Sequence, residues 1–278
     1  MSKQHVEPPS LPPDGPLIDT HCHLDMDAYA DDLVSVISAA AACGVGGIIT
    51  VGIDLDSSKQ AVAIARRFPR VWASAGIHPH NAADAGPAQY KKLADLATDK
   101  ANKVVGYGEI GLDYARNYAP AEVQQQAFRA QLELAKKLGL PVIIHDRDAH
   151  DDILRLLHEN GPYPAGGVMH CFSGDSVFAR QVLELGFFIS IPGIVTFAKS
   201  DMLQQVARDI PLTQMLLETD GPFLAPVPFR GRTNRPEYLL YTAQKIAELR
   251  GIPLAEVARQ TSRNAIDLFQ LDLEPTLP

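Results

Sequence analysis

The chain has 278 residues, 46% of them apolar and 21% charged, with a formal net charge of −8. That balance allows one large core and excludes a disordered class. It also excludes a long, sequence-independent grip on duplex nucleic acid, which needs a basic surface; a small nucleic-acid substrate held through metal ions stays open, because the local field decides there.

Residues 1–16 are rich in proline, with Pro8, Pro9, Pro12, Pro13 and Pro16, and are expected to form a flexible tail. They lack the apolar stretch of a signal peptide, and no apolar run reaches membrane-spanning length. Cys22, Cys43 and Cys171 form no disulfide framework and fit a reducing compartment. The expectation is a cytoplasmic protein with no membrane contact and no obligate protein partner.

Eight short apolar runs follow: Leu17 to Asp19, Gly47 to Val51, Val71 to Ile77, Val104 to Ile110, Val142 to His145, Gly167 to Phe172, Phe187 to Ile191 and Met215 to Thr219. They read as parallel strands buried on both faces. Helix-period segments begin near Tyr29, Ser57, Pro87, Val123, His150, Ser176 and Lys199. The clearest runs from Val123 to Leu138, where Gly139 and Pro141 supply the stop. This alternation predicts a (β/α)8 TIM-type barrel, an α/β fold in a single domain over 17–270, with a second tail over 271–278. An open doubly wound sheet is the competing architecture, but the first strand is not followed by the G-x-G-x-x-G of its nucleotide-binding form.

His21 and His23 follow the first run. Two apart on a strand, they face the same side, and Cys22 faces away. An H-x-H pair alone says little, and a second occurs at His78-Pro79-His80. Position carries more. Glu109 closes the fourth run, His145 the fifth, His170 lies near the end of the sixth, and Asp220 ends the eighth; strand C-termini are where such barrels place their chemistry. Buried without partners, polar groups cost about 1–3 kcal/mol each, and a cation supplies the partner. Four histidines and two carboxylates suit Zn2+, Mn2+ or a related divalent ion over Ca2+. Six ligands exceed one tetrahedral site, so two ions about 3.5–4 Å apart, bridged by a carboxylate, fit them. Singly, each residue has a plainer reading: a hydrogen-bonded histidine at a strand end, or turn chemistry for Asp220 before Gly221-Pro222.

Taken in order, Leu17 to Asp25, Gly76 to Pro79, Gly108 to Asp113, Pro141 to His145, His170 to Gly174 and Leu217 to Pro222 resemble the successive motifs of the TatD family. These are metal-dependent deoxyribonucleases among the amidohydrolase-like barrels. The likeness runs to about Leu268, with Asn264-Ala265 similar to the family's closing helix. It implies two divalent ions (Mg2+, Mn2+ or Zn2+), with His21, His23, Glu109 and Asp220 on one, Glu109, His145 and His170 on the other, and Glu109 as bridge. His78 matches a histidine beside the site that contacts substrate or leaving group. His80 has no such match and reads as a loop residue.

In the chemistry this implies, Asp220 is the candidate general base or water-orienting group, Glu109 bridges, and His78 is a candidate donor to phosphate. Asp19 and Glu218 share strand parity with His21 and Asp220 and are candidates to orient ligand histidines; a buried hydrogen bond or salt bridge within the barrel is the alternative. Asp113 and Ser173 lie in loops past ligands. The basic segment Phe229 to Arg235 offers Arg230, Arg232 and Arg235 as phosphate clamps. Arg232 and Asn234 lead as substrate contacts, since the family often has an Arg-Gly-x-x-Asn stretch here; solvated loop charges are the alternative. Phe223 and Phe229 are candidate stacking rings or packing residues. His150 and His158 read as surface helix residues, and Trp72 as a strand or interface residue.

The resemblance points to removal of nucleotides from single-stranded or frayed DNA ends, with 3'-5' polarity. Two alternatives stand beside it: a metal-dependent esterase or amidohydrolase, such as a deacylase of misattached aminoacyl-tRNA, and a metal-holding scaffold without turnover.

Overall fold

The computed structural model describes residue 11, residues 15–116 and residues 118–273. Each expected run becomes a strand: β1 (Leu17–Cys22), β2 (Val45–Val51), β3 (Val71–Ala75), β4 (Val104–Asp113), β5 (Val142–Arg147), β6 (Gly167–Met169), β7 (Phe188–Ile191) and β8 (Met215–Leu217). They pair in parallel in chain order. The helices are α1 (Leu33–Ala42), α2 (Leu55–Arg67), α3 (Pro87–Thr98), α4 (Ala121–Leu138), α5 (His150–Asn160), α6 (Ser176–Glu184), α7 (Asp201–Asp209), α8 (Leu239–Arg250) and α9 (Leu254–Phe269). The protein is a single-domain (β/α)8 barrel, as the alternation predicts.

Local sequence sets the helix ends. The Asp54 carboxylate accepts from the N–H groups of Asp56 and Ser57 at 2.9 and 2.8 Å and starts α2; Asp175 does the same for α6. These bonds satisfy donors that a first helical turn leaves unpaired. Gly139, at φ 67°, ends α4 in the left-handed conformation. Gly111 serves packing instead. At φ 146°, a Cβ there would land on the His145 carbonyl oxygen, so β4 and β5 approach closely beside the future site.

Strand residues of one parity, such as Leu17, Ile48, Val71 and Ile144, pack under the helices. Residues of the other parity, among them Ile18, Trp72, Ile143 and Val168, meet Ala265, Leu268 and Phe269 of α9. These strand residues stand near the beginnings of their strands, so α9 closes the N-terminal end. The C-terminal end is left open.

Closure happens just past β8. Cys22 and Gly221 form a parallel bridge; the Asp220 N–H donates to the His21 carbonyl at 2.9 Å, and the His23 N–H to the Gly221 carbonyl at 2.7 Å. The seam of the barrel therefore runs through three of the expected ligands.

The expected tails over 1–16 and 271–278 lie mostly outside the described residues. Yet Gly15 is buried and the Pro16 carbonyl accepts the Ser262 hydroxyl at 2.6 Å. At the other end Leu271 is buried and Leu273 packs against the α9 cluster, because these apolar residues cover the closed end of the barrel. No helix among the described residues is long and apolar enough to cross a membrane.

Candidate metal centre

Glu109 stands at the middle of the open end, 3% exposed, and its two carboxylate oxygens divide the donors around it. Oε1 lies 2.7 Å from His145 Nδ1 and 3.0 Å from His170 Nε2. Oε2 lies 3.4 Å from His21 Nε2 and 3.8 Å from His23 Nε2. On that second side Asp220 Oδ1 is 3.5 Å from His23 and 4.0 Å from His21. All six expected ligands thus lie together around Glu109, and the trios whose donor atoms come within 4.8 Å of one another are His21, His23 and Asp220; His21, His170 and Glu218; and His78, Glu109 and His145. Asp220 adopts φ 56°, a left-handed conformation an aspartate tolerates better than most residues.

The far nitrogens of the rings decide what the near ones can do. His23 Nδ1 sits 3.2 Å from the Val51 carbonyl, which can only accept, so it carries the proton and Nε2 presents a lone pair. His145 Nε2 faces Asp113 Oδ2 at 3.3 Å, leaving Nδ1 as the lone pair toward Glu109. His170 Nδ1 lies 3.3 Å from Glu218 Oε1, a charge contact off the hydrogen-bond axis, and although burial works against the charged ring, Glu109 and Glu218 on its two sides raise it well above the usual histidine range. Two histidines held from behind by acceptors, His23 and His145, with lone pairs turned toward carboxylates, suit a metal site. Two lone pairs 2.7 Å apart, as on His145 and Glu109, need a cation or a proton between them.

His78 differs. Its Nδ1 accepts the backbone N–H of His80 at 3.1 Å, so in the neutral ring Nε2 keeps the hydrogen. That nitrogen lies 3.4 Å from Glu109 Oε1. His78 belongs by distance to a trio with Glu109 and His145 whose donor atoms lie within 4.8 Å of one another, but by proton placement it is a donor.

The electrostatics favour a cation at this end of the barrel. Glu109, Asp113, Glu218 and Asp220 bring four carboxylates together, and every ion-pair partner they have among the described residues is a histidine. Burial works against the Glu109 carboxylate, yet His170 and His78 beside it hold it well below the usual range. Burial, with His170 alongside, pushes His21 down to about 3, and burial pushes His78 down to about 4. Burial would lower His145 and His23 too, but hydrogen bonds to Asp113 and Glu109 raise the first, and to Asp220 the second. Oxygen and imidazole donors of this kind fit Zn2+ or Mn2+.

Several sequence expectations change in the fold. His80, read as a loop residue, stands at the site: its Nε2 is 2.8 Å from Asp113 Oδ2, the same oxygen that faces His145. Strand-end spacing gives no sign of this, because the link runs from the β3 loop to the end of β4. Glu218 contacts His170 as expected and also accepts the Cys171 N–H at 2.7 Å. Asp19 does not orient a ligand ring. A register irregularity between Asp19 and Cys22 breaks the parity, and its carboxylate instead takes the Thr219 hydroxyl and N–H at 2.5 and 3.0 Å, with burial raising it to about 7.

Asn234, expected to touch substrate, is fully buried. Its amide donates to the carbonyls of Thr219 and Phe223 at 2.7 and 2.6 Å, and it accepts the Tyr29 hydroxyl on its own carbonyl at 2.6 Å. It holds the loop that carries Asp220. Arg235 pairs with Glu237 and Asp32 at 3.4 and 3.7 Å, so it is no free clamp. Arg230 lies over the Phe197 ring and Arg232 near Phe229, both exposed. Phe229 stacks on Tyr238 at 4.0 Å and is packing. Ser173 is exposed. His158 is exposed, as expected, while His150 is half-exposed and bonded to Asp146. Trp72 is a buried β3 residue.

An eight-stranded barrel with histidines and carboxylates facing one another at its open end defines the class: a metal-dependent hydrolase acting on ester bonds. The family model described as "TatD related DNase" matches residues 18–270, and the chain belongs to the TatD family. It is 40% identical to the uncharacterized metal-dependent hydrolase YabD of Bacillus subtilis over 92% of this chain and 100% of that one. It is 34% identical to the 3'-5' ssDNA/RNA exonuclease TatD of Salmonella typhimurium, over 92% of this chain and 99% of the relative. The crystal structure of YjjV, a TatD homolog from Escherichia coli K12, superposes with a TM-score of 0.87 at 33% identity, covering 92% of this chain and 98% of that one.

Proposed function

We propose that this chain is a two-metal nuclease that removes nucleotides from the 3' ends of single-stranded DNA. The observation that carries the reading is the division of donors by Glu109: Oε1 toward His145 and His170, Oε2 toward His21, His23 and the Asp220 side. Relatives named as 3'-5' ssDNA/RNA exonucleases support the substrate class.

Two divalent ions of the Mg2+, Mn2+ or Zn2+ kind, when bound, supply an activated water and positive charge against a phosphate. The chain's own residues supply the rest. Asp220, 9% exposed at the mouth, orients the attacking water and takes its proton. His78 donates its Nε2–H to a phosphate oxygen, a role its tautomer already prepares. Asp113 and Glu218 hold His145 and His170 in place from behind. Arg232 is exposed past β8, free to meet the strand's backbone. The three free cysteines fit work in the cytoplasm.

The test is shortening of end-labelled single-stranded DNA by protein carrying a measured content of bound metal, with an aminoacyl ester in parallel. The reading expects metal-dependent digestion from the 3' end, stopped by chelator. Turnover of the aminoacyl ester alone would replace it with the deacylase reading, and turnover of neither with the scaffold.

A further inference from the structure

β4 and β8 are four strands apart in an eight-stranded barrel, so the loops that follow them leave from opposite sides of the mouth. Each loop carries an exposed aromatic ring against a histidine of the site. Tyr118, in the loop after β4, is 64% exposed. Its ring stands edge-on to His80 at 4.7 Å, and Asp113 fixes His80 in turn at 2.8 Å. Phe223, in the loop after β8, is 48% exposed and edge-on to His23 at 6.0 Å.

These are the only aromatic rings among the exposed large apolar side chains of the described residues. Other rings past β7 and β8 are covered: Phe229 by Tyr238, and Phe197 by Arg230. A ring left in water forgoes the burial that stabilises the other aromatics of the fold. Two such rings, on opposite sides of one metal-type cluster, each propped from behind by a histidine, offer flat apolar faces to something that enters between them.

We propose that Tyr118 and Phe223 are stacking platforms for two unpaired bases, one on each side of the scissile phosphate. The inference rests on the phosphodiester reading above and names how that substrate is gripped. Stacking on a protein ring is open to any base but requires it to be out of a duplex stack. The platforms therefore select single strands without reading sequence. A net charge of −8 gives the chain no long-range pull on a phosphate backbone, so the flat faces of the bases add grip to the phosphate contacts made at the site. His80 acts as a positioning residue, holding the Tyr118 edge while Asp113 holds it.

The test compares a single-stranded oligonucleotide with one of the same length built of tetrahydrofuran abasic residues. Both are given to the metal-loaded full chain and to Tyr118→Ala, Phe223→Ala and the double variant. The wild type should cut the base-bearing strand with the higher kcat/KM. Each single change should shrink that preference by about 5- to 150-fold, the range of one base–aromatic stack, and mainly through KM. In the double variant the two strands should be cut alike. Tyr118→Phe should keep the preference, because the ring remains. Both side chains are exposed, so unchanged unfolding midpoints will show that the variants fold.

A preference unchanged in the double variant overturns the platforms, as does a shift in oligomeric state with the preference intact, which would make the rings a contact between copies of the chain. Equal cutting of the two strands by the wild type overturns the platforms and leaves the phosphodiester reading standing. Failure to cut either strand overturns both.

Discussion

The backbone N–H of His80 points at Nδ1 of His78 from 3.1 Å, and that one bond separates His78 from the histidines around it. His23 and His145 lean on acceptors and turn lone pairs toward the carboxylates of the site; His78 leans on a donor and keeps its hydrogen on Nε2. His78→Ala should therefore keep the bound metal and lose about 100-fold or more in kcat, the usual effect of deleting one donor to a developing charge. His145→Ala should lose metal. Metal analysis of the two purified variants decides between them, and metal loss in His78→Ala would make it a ligand after all.

Glu109 touches every ring of the cluster, so Glu109→Gln should remove the response of stability to metal. For the wild type, divalent ion at a hundred times its Kd should add about 2.7 kcal/mol to unfolding, read as a rise in Tm. The variant's Tm should be flat across the same titration.

Glu218 is fully buried with its Oε1 on the Cys171 N–H and beside His170 Nδ1. Glu218→Gln keeps the shape and removes the charge behind His170, a candidate ligand. Metal affinity or activity should drop about 10- to 100-fold, with kcat/KM restored in part by raising the metal concentration. No dependence on metal concentration would mean that Glu218 serves the fold alone.

Asn234→Ala would strand the buried carbonyl of Thr219, at a cost of about 1–3 kcal/mol when left unsatisfied, and release the half-buried carbonyl of Phe223. The unfolding midpoint in urea should fall, together with activity, because the same loop carries Asp220. Arg232→Ala, on an exposed side chain, should leave the midpoint in place and raise KM for DNA.

His150 supplies a pH test away from the centre. A hydrogen bond to Asp146, 2.6 Å long, raises its pKa above 6.5. A raised folded value means the protonated ring stabilises the fold. That contribution is complete below 6.5 and is lost as pH rises through the folded value. Wild type should exceed His150→Gln in stability more at pH 6 than at pH 9, by denaturant titration at both; an equal gap would assign the effect to the ring's stacking on Phe178.

What could be read along the chain was whatever depends on neighbours in sequence. Eight apolar runs mark the strands, since a parallel strand covered on both faces needs no polar alternation. The candidate ligands were visible because strand ends bring them to one end of a barrel. The runs did not show that β4 and β5 continue past Ile110 and His145 to Asp113 and Arg147, for polar residues end an apolar run without ending a strand. Tertiary structure alone decided what crosses the seam or links one loop to another. Asp19 meets Thr219 rather than a ligand ring, His80 meets Asp113, and Asn234 turns inward onto the β8 loop. Each is a short polar contact between segments distant in the chain. No periodicity encodes such a pair: its partner is set by barrel closure and by the need of every buried donor and acceptor for a mate.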